Sequence, residues 1–210
     1  MTTISLTARL QLRHITGQDA PFYRQLVNEP EWIAHIGDRQ VHSVAQAALQ
    51  IEDRLVASYV QHGYGLYLVA LRATGAPVGI CGLVQRSTLQ HPDLGFAFLQ
   101  AHIGQGYALE AAQAVLLHAF DTLHLKLVLG ITTSVNRRSA RLLEKLGFKF
   151  QGEVQLGQAV ICTSWYCQAG VSLARLLGLA QGYFDEVSLT TNDQTVESEK
   201  SVTAVKTSLR

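Results

Sequence analysis

The stretch Leu99-Gln-Ala-His-Ile-Gly-Gln-Gly-Tyr-Ala-Leu-Glu-Ala111 decides how the chain around it folds. It continues a β-prone segment that begins at Asp93, passes through glycines at 104 and 106, and enters a helical pattern from about Tyr107 to Leu123. A strand that ends in such a turn and opens a helix leaves backbone N–H groups pointing outward at the positive end of the helix dipole. The stretch therefore predicts a phosphate-binding turn, with a tight helix entry that binds nothing as the alternative.

Two common nucleotide-binding loops do not fit this turn. A P-loop requires Gly-Lys-Ser/Thr at its end, whereas the helix here begins Gly106-Tyr107-Ala108. A dinucleotide-binding turn requires a third glycine and an acidic residue that ends the next strand, whereas the chain has Leu109 and Thr132-Thr133. Nucleotide hydrolysis and NAD binding are therefore disfavoured.

The rest of the chain predicts a mixed α/β domain. Apolar residues alternate in the strand segments, and they recur at helical spacing after cap residues such as Ser43 and Asn136. Strands are predicted at 9–13, 65–72, 78–86, 93–100, 125–133, 148–154 and 159–166, and helices at about 19–28, 43–59, 107–123 and 136–146. Beyond a domain that covers residues 1–168, we expect a short docking helix at 169–184 and a disordered polar tail at 185–210.

Composition excludes several classes of function. A net charge of +1 gives no broad basic field, so binding of nucleic acid through phosphates is not expected. The apolar runs are too short to span a membrane, and the N-terminus lacks the features of a signal peptide, so a cytoplasmic protein is expected. The three cysteines predict buried free thiols, and the eight histidines show no metal-binding spacing, so no metal is expected.

The order of elements over residues 8–168 resembles the GCN5-related N-acetyltransferase (GNAT) superfamily, and within it the Rim-type ribosomal-protein N-terminal acetyltransferases. The resemblance is carried by Ala8-Arg-Leu-Gln-Leu-Arg13, Asp93-Leu-Gly-Phe96, Gly104-Gln-Gly-Tyr-Ala-Leu-Glu-Ala111 and Asn136-Arg-Arg-Ser-Ala-Arg-Leu-Leu-Glu-Lys-Leu-Gly-Phe148. It implies the GNAT fold, an α/β (α+β) fold with a mixed, mostly antiparallel central sheet of about seven strands flanked by about four helices. It also implies an acyltransferase that uses acetyl-CoA as co-substrate.

The same resemblance implies where coenzyme A binds. Amides from about Gly104 to Leu109 hold the pyrophosphate, the edge of the strand 96–99 bonds the pantetheine arm, and Asn136 contacts the arm near its thiol. The family's turn usually opens with Arg or Gln, whereas this chain has Ile103. The coenzyme-binding residues so implied are Phe98, Leu99, Ile103, Gly104, Gln105, Gly106, Tyr107, Ala108, Leu109, Asn136 and Ser139.

The catalytic groups are less clearly marked. Many relatives place a tyrosine acid on the helix after Asn136, and the matching residue here is Leu143. Ser139 or a water is then the expected proton donor to the leaving thiolate, with a helix-cap role as the alternative for Ser139. Asp93 is the expected base, acting directly or through water, with a solvated turn residue as its alternative. Glu110 lies in the first helical turn, where the dipole stabilises a carboxylate, and is not taken as a base.

The expected acceptor is a primary amine, either a protein N-terminus or a small molecule. Glu29, Glu31 and Asp38 give the acceptor region a negative charge that suits a cation, and Trp32 either lines that groove or packs in the core. A non-catalytic acyl-CoA-binding module is the main alternative, and an interaction protein whose tail recruits a partner is a further one. The sequence leaves the oligomeric state open, a homodimer included.

Overall fold

A computed structural model describes residues 2–155 and 162–169, with six helices and an eight-stranded sheet in the order β1-β2-β3-β4-β5-β6-β8-β7 over these residues. The strands are β1 (Thr3–Leu6), β2 (Leu10–Arg13), β3 (Leu66–Leu71), β4 (Pro77–Val84), β5 (Asp93–Phe98), β6 (Leu127–Thr133), β7 (Lys149–Gln155) and β8 (Cys162–Ala169). The helices are α1 (Ala20–Val27), α2 (Pro30–His35), α3 (Val44–Gln50), α4 (Ala57–His62), α5 (Tyr107–Leu117) and α6 (Arg137–Lys145). The predicted helix at 169–184 and tail at 185–210 lie outside the described residues.

The predicted fold class is confirmed, with two short additions. The strand β1 pairs antiparallel with β2 and has only four residues, Thr-Ile-Ser-Leu, whose alternation is too short to mark a strand. The helix α2 begins at Pro30, directly after the end of α1, in a segment that was expected only to end the first helix. Residues Ile51–Val56 and His118–Thr122 continue α3 and α5 as π-helical turns.

The sheet is antiparallel except where β5 meets β6. The strand β4 pairs with the whole of β5, from Gly79↔Phe98 to Val84↔Asp93. On the other side of β5, the described residues form a single parallel pair with β6, Asp93↔Leu129. The two strands therefore diverge after Asp93, and the β6-facing edge of β5 becomes the floor of a cleft.

Predicted helix ends are confirmed by their hydrogen bonds. The Ser43 hydroxyl accepts from the Gln46 N–H at 3.1 Å, and the Gln46 side chain accepts from the Ser43 N–H at 2.9 Å, which makes a reciprocal cap on α3. Asn136 caps α6, and Gly147 ends it with a φ of +87°. Of these capping residues, Asn136 also lines the cavity described below.

Both faces of the sheet carry a hydrophobic core. Along β3, Tyr67 and Val69 pack in the cluster that includes α5, whereas Leu68 and Ala70 pack in the cluster that includes α1 and α3. Alternate residues of a strand point to opposite faces, so β3 is buried on both sides. Cys81 is a fully buried free thiol, as expected, and burial raises its pKa. No helix in the described part of the chain is long and apolar enough to cross a membrane.

Two histidines belong to an aromatic cluster beside this core. The His14 ring stacks on Tyr59 with centroids 4.0 Å apart, and His118 meets Tyr67 edge-on at 6.0 Å. Over the described residues, the buried Nε2 atom of His118 has no hydrogen-bond partner. Burial lowers the pKa of both imidazoles, and the charge of His14 lowers that of His118 further.

We expect the free energy of unfolding to fall as the pH drops through the range below about 6.5, because the unfolded chain then binds protons that the folded histidines do not. Above that range both histidines are neutral in both states, and this contribution is constant. Urea unfolding at several pH values measures the effect. In the His118→Leu variant, the free energy of unfolding should depend less steeply on pH in this acidic range.

The exposed His42 provides the control. His42→Leu should keep the full dependence of unfolding free energy on pH. A His118→Leu protein with the wild-type slope would show that this cluster does not cause the acid sensitivity.

Candidate active site

A cavity of about 510 Å³ occupies the cleft where β5 and β6 diverge. Its lining comes from β5, from the turn and first residues of α5, from α6, and from the α1–α2 segment on the opposite side. The lining residues are Leu26, Glu29, Glu31, Trp32, His35, Phe96, Ala97, Phe98, His102, Ile103, Gly104, Gly106, Tyr107, Ala108, Leu109, Asn136, Arg138, Ser139, Arg141, Leu142 and Lys145. The cavity therefore brings together most of the segments that the sequence marked.

The turn before α5 presents its amides to this cavity. Gly104 and Gly106 have φ values of +83° and +80°, a left-handed conformation that glycine adopts without the steric cost of a side chain. The first helical hydrogen bond runs from the Glu110 N–H to the Gly106 carbonyl at 3.1 Å. The N–H groups of residues 106–109 thus have no acceptor within the helix, and these residues line the cavity. This end of α5 can bind phosphate oxygens.

A second helix N-terminus opens on the same cavity. The Asn136 side-chain oxygen accepts from the Ser139 N–H at 3.0 Å and so caps α6. With its oxygen used in this way, Asn136 keeps its amide NH₂ as a donor to a ligand. The Ser139 hydroxyl makes no hydrogen bond to the described residues, and Ser139 also lines the cavity. Two helix dipoles therefore favour negative charge in one place.

The opposite wall is acidic and aromatic. Glu31 lies 3.7 Å from the Arg138 guanidinium on α6 and 3.6 Å from His35 one turn further along α2. The Trp32 side chain is 5% exposed, and over the described residues its indole N–H has no acceptor. Glu29 adds a second carboxylate to the lining. The negative charge of Glu29 and Glu31 suits a ligand that carries a cationic amine.

The structure places most of the predicted coenzyme-binding residues in the cavity, but not all of them. Leu99 is 8% exposed in the hydrophobic core, and its N–H donates to Val78 at 3.0 Å. The Gln105 side chain turns back to the Ala101 carbonyl at 3.0 Å. The predicted residues that do line the cavity are Phe98, Ile103, Gly104, Gly106, Tyr107, Ala108, Leu109, Asn136 and Ser139. Leu99 and Gln105 are therefore supporting residues of the cleft.

Asp93 does not line the cavity. It begins β5 at the closed end of the cleft, and its side chain is 2% exposed. Its two oxygens accept from Arg86, at 2.7 Å from Nε and 3.2 Å from Nη2. Burial raises the pKa of this carboxyl, and the pairing with Arg86 opposes that rise. A catalytic role for Asp93 stays a prediction, and the geometry shows a buried, paired carboxylate where the sequence suggested a solvated turn or a base.

Leu143 and Ile103 also have defined environments. Leu143 is 1% exposed and packs over Gly130 of β6, where an added Cβ would lie 2.6 Å from the leucine Cδ2. Ile103 lines the cavity and provides apolar surface in place of a charged side chain. The position that often carries a tyrosine acid in relatives is thus a core position in this chain.

Sequence reasoning missed part of the lining. His35 lies on a helix that was not predicted. Arg138, Arg141 and Lys145 recur at a spacing of three and four residues on α6, so they share one face, and this spacing was the signal that could have found them. They give the α6 side of the cavity three cations, opposite the acids of α2.

Comparison with known proteins identifies the family of this chain. A family model described as an acetyltransferase (GNAT) domain matches residues 9–149. The Bacillus subtilis protein YoaA, described as an uncharacterized N-acetyltransferase, is 29% identical over 156 residues, which cover 72% of this chain and 86% of that protein.

Solved structures show the same fold. An acetyltransferase from Agrobacterium tumefaciens strain C58 is 26% identical with a TM-score of 0.68, over 80% of this chain and 94% of that one. RimL, a ribosomal-protein alpha-N-acetyltransferase solved in complex with coenzyme A, has a TM-score of 0.67 over 80% of this chain and 97% of that one. At 17% identity, the similarity to RimL shows only that the two chains share a fold. Because the family model spans well over half of the chain, this protein belongs to the GNAT acetyltransferase family and is an acyltransferase.

Proposed function

We propose that the protein transfers an acetyl group from acetyl-CoA to a primary amine, and that the amine is a protein N-terminal α-amine. The observation that carries the proposal is the convergence of two helix N-termini and the open edge of β5 on one cavity. An elongated ligand with phosphates at one end and amide groups along its arm matches these three features. Acetyl-CoA has this form, and it supplies an activated thioester.

The residues present fit coenzyme A. The amides of residues 106–109 bind the pyrophosphate, and the diverging edge of β5 from Phe96 to Phe98 offers backbone groups to the pantetheine amides. The Asn136 NH₂ group donates to the arm near its thiol end. Arg141 and Lys145 add positive charge for the phosphates.

The acceptor must lose a proton before it reacts. At pH 7 about a tenth of an α-amine with a pKa of ~8 is neutral, against about 0.04% of a lysine with a pKa of ~10.4. The carboxyl whose pKa is raised by burial, Asp93, is not among the described residues that line the cavity. A site with this composition favours the amine that is easier to deprotonate, and Glu29 and Glu31 attract its cationic form before the proton leaves.

The transfer then requires one new bond and one broken bond. The neutral nitrogen attacks the thioester carbonyl carbon, the C–N bond forms, and the C–S bond breaks with the electron pair leaving on sulfur. The nitrogen gives up one proton and the thiolate gains one, so the protons balance. Ser139, whose hydroxyl has no partner among the described residues, or a water in the same place, relays the proton: the hydroxyl donates to sulfur and takes up the proton that the nitrogen releases. Holding both reactants in one cavity accounts for much of the expected acceleration.

The test is calorimetric titration with acetyl-CoA, followed by thiol release against matched acceptors. One peptide has a free N-terminus and no lysine, a second has a blocked N-terminus and one lysine, and a third acceptor is 2-phenylethylamine. We expect saturable binding and thiol release that is fastest with the first peptide. Faster release with 2-phenylethylamine would assign a small-molecule acceptor, and binding without release on any amine would show a non-catalytic acyl-CoA-binding module.

A further inference from the structure

We propose that Arg9 is a positioning residue for the coenzyme A pyrophosphate, which holds the phosphate-binding turn from the side opposite the cavity. The inference rests on the proposed function and adds a residue that lies about a hundred positions from the turn in sequence. Arg9 is not among the residues that line the cavity, so the role that we assign to it is exerted through the turn. Four contacts support this role.

The first two contacts join Arg9 to the turn and to α5. The Arg9 Nη1 group donates to the Gln105 carbonyl at 2.9 Å, which lies between the two left-handed glycines. The Arg9 Nε group donates to the Glu110 carboxylate at 2.6 Å. One planar guanidinium thus bridges the turn and the first turn of the helix, a geometry that lysine cannot reproduce.

The other two contacts place the guanidinium against the turn. Its central carbon lies 4.7 Å from the centre of the Tyr107 ring. Its Nη2 atom would lie 3.3 Å from a Cβ added at Gly106. Residues 105–107 are therefore covered on their outer side by Arg9, while Gly106 and Tyr107 face the cavity on the inner side.

Glu110 anchors this arrangement to the strand. Its carboxylate accepts from the Arg9 backbone N–H at 2.8 Å and from the Thr7 hydroxyl at 2.5 Å. Burial alone would raise the pKa of Glu110, but the hydrogen bonds from Thr7 and Arg9 outweigh it and lower that pKa. Glu110 therefore stays ionised and holds Arg9 in place, which explains a carboxylate beside a phosphate-binding turn.

The turn needs such support because of its composition. Two glycines in left-handed conformations have many alternative backbone states, and each must be lost before the amides can align on a phosphate. Ile103 provides no charged side chain that could reach the ligand from within the turn. Fixing the Gln105 carbonyl from outside reduces the ordering that binding would otherwise require.

The experiment compares two acetyl donors, acetyl-CoA and S-acetylpantetheine, which lacks the pyrophosphate and the nucleotide. Arg9→Met should raise the KM for acetyl-CoA about 10-fold with little change in kcat, because ground-state binding is what it weakens. With S-acetylpantetheine, wild type and Arg9→Met should react at equal rates. Arg9→Lys should recover only part of the loss, since it keeps the charge without the bridge.

Arg72→Met is the matched control. Arg72 is an exposed arginine in the same region that donates to the Thr7 carbonyl at 2.5 Å and does not contact the turn, so its KM for acetyl-CoA should equal that of wild type. If Arg9→Met lost the same share of activity with acetyl-CoA and with S-acetylpantetheine, the proposal would be overturned and Arg9 would have a purely structural role. An unchanged KM for acetyl-CoA would overturn it as well. Failure of the wild type with every donor would instead remove the proposed function.

Discussion

Replacement of Asn136 by alanine is expected to lower kcat/KM for acetyl-CoA about 10- to 100-fold. It is also expected to lower the free energy of unfolding by about 1 kcal/mol. Two effects are expected because the side chain does two things at once. Its oxygen accepts from the Ser139 N–H and caps α6, and its NH₂ group remains as a donor in the cavity. Loss of the cap also loosens Ser139, the proposed proton donor.

Asn136→Asp separates the two effects. An aspartate still accepts from the Ser139 N–H, and it is as good an N-cap as asparagine, so urea unfolding should show wild-type stability. It has no NH₂ donor and adds negative charge next to an anionic ligand, so kcat/KM should stay as low as in the alanine variant. Steady-state kinetics and urea unfolding on the same preparations make the measurement. An aspartate variant with wild-type activity would show that the amide nitrogen plays no part.

The course of the chain could be predicted largely from local patterns. The structure confirms the helix ends that Ser43 with Gln46, Asn136 and Gly147 marked in the sequence. Each cap could be predicted because it depends only on residues a few positions away along the chain. The cleft itself depends on how far β5 and β6 stay paired. Nothing near Asp93 in sequence shows that this pairing stops after one residue pair with Leu129, since register is a property of the assembled sheet.

In the site, too, features set by neighbouring residues could be predicted, whereas contacts between residues far apart in sequence could not. The glycines at 104 and 106 predicted a tight turn that opens a helix, and the structure has that turn in place, because its conformation is local. That the turn binds an anion stays a prediction. The surroundings of Asp93 could not be predicted, since its partner Arg86 is fixed only when β4 and β5 pair. Glu110 was set aside as a base on the helix dipole alone. Its three hydrogen bonds to Thr7 and Arg9, about a hundred residues away, were beyond any sequence pattern.

Leu143→Tyr is expected to lower the free energy of unfolding by about 2–3 kcal/mol and to leave acetyl transfer no faster. Leu143 is 1% exposed and packs over Gly130, so a larger ring has no room without moving β6. Its hydroxyl would also be buried without a partner. For a chain of this size the loss corresponds to a fall in Tm of about 5–10 °C, which a thermal melt measures.

Glu144→Tyr tests whether the position or the substituent is responsible. Glu144 is the exposed neighbour of Leu143 on α6, where a tyrosine should change stability by no more than about 0.5 kcal/mol. If Leu143→Tyr instead folded at wild-type stability and raised kcat, the cleft would reach this position and lack a proton donor. On the present geometry Leu143 holds α6 against β6 and so holds Asn136 and Ser139 at the cavity. The leucine is then a requirement of this core, and the missing tyrosine does not argue against an active enzyme.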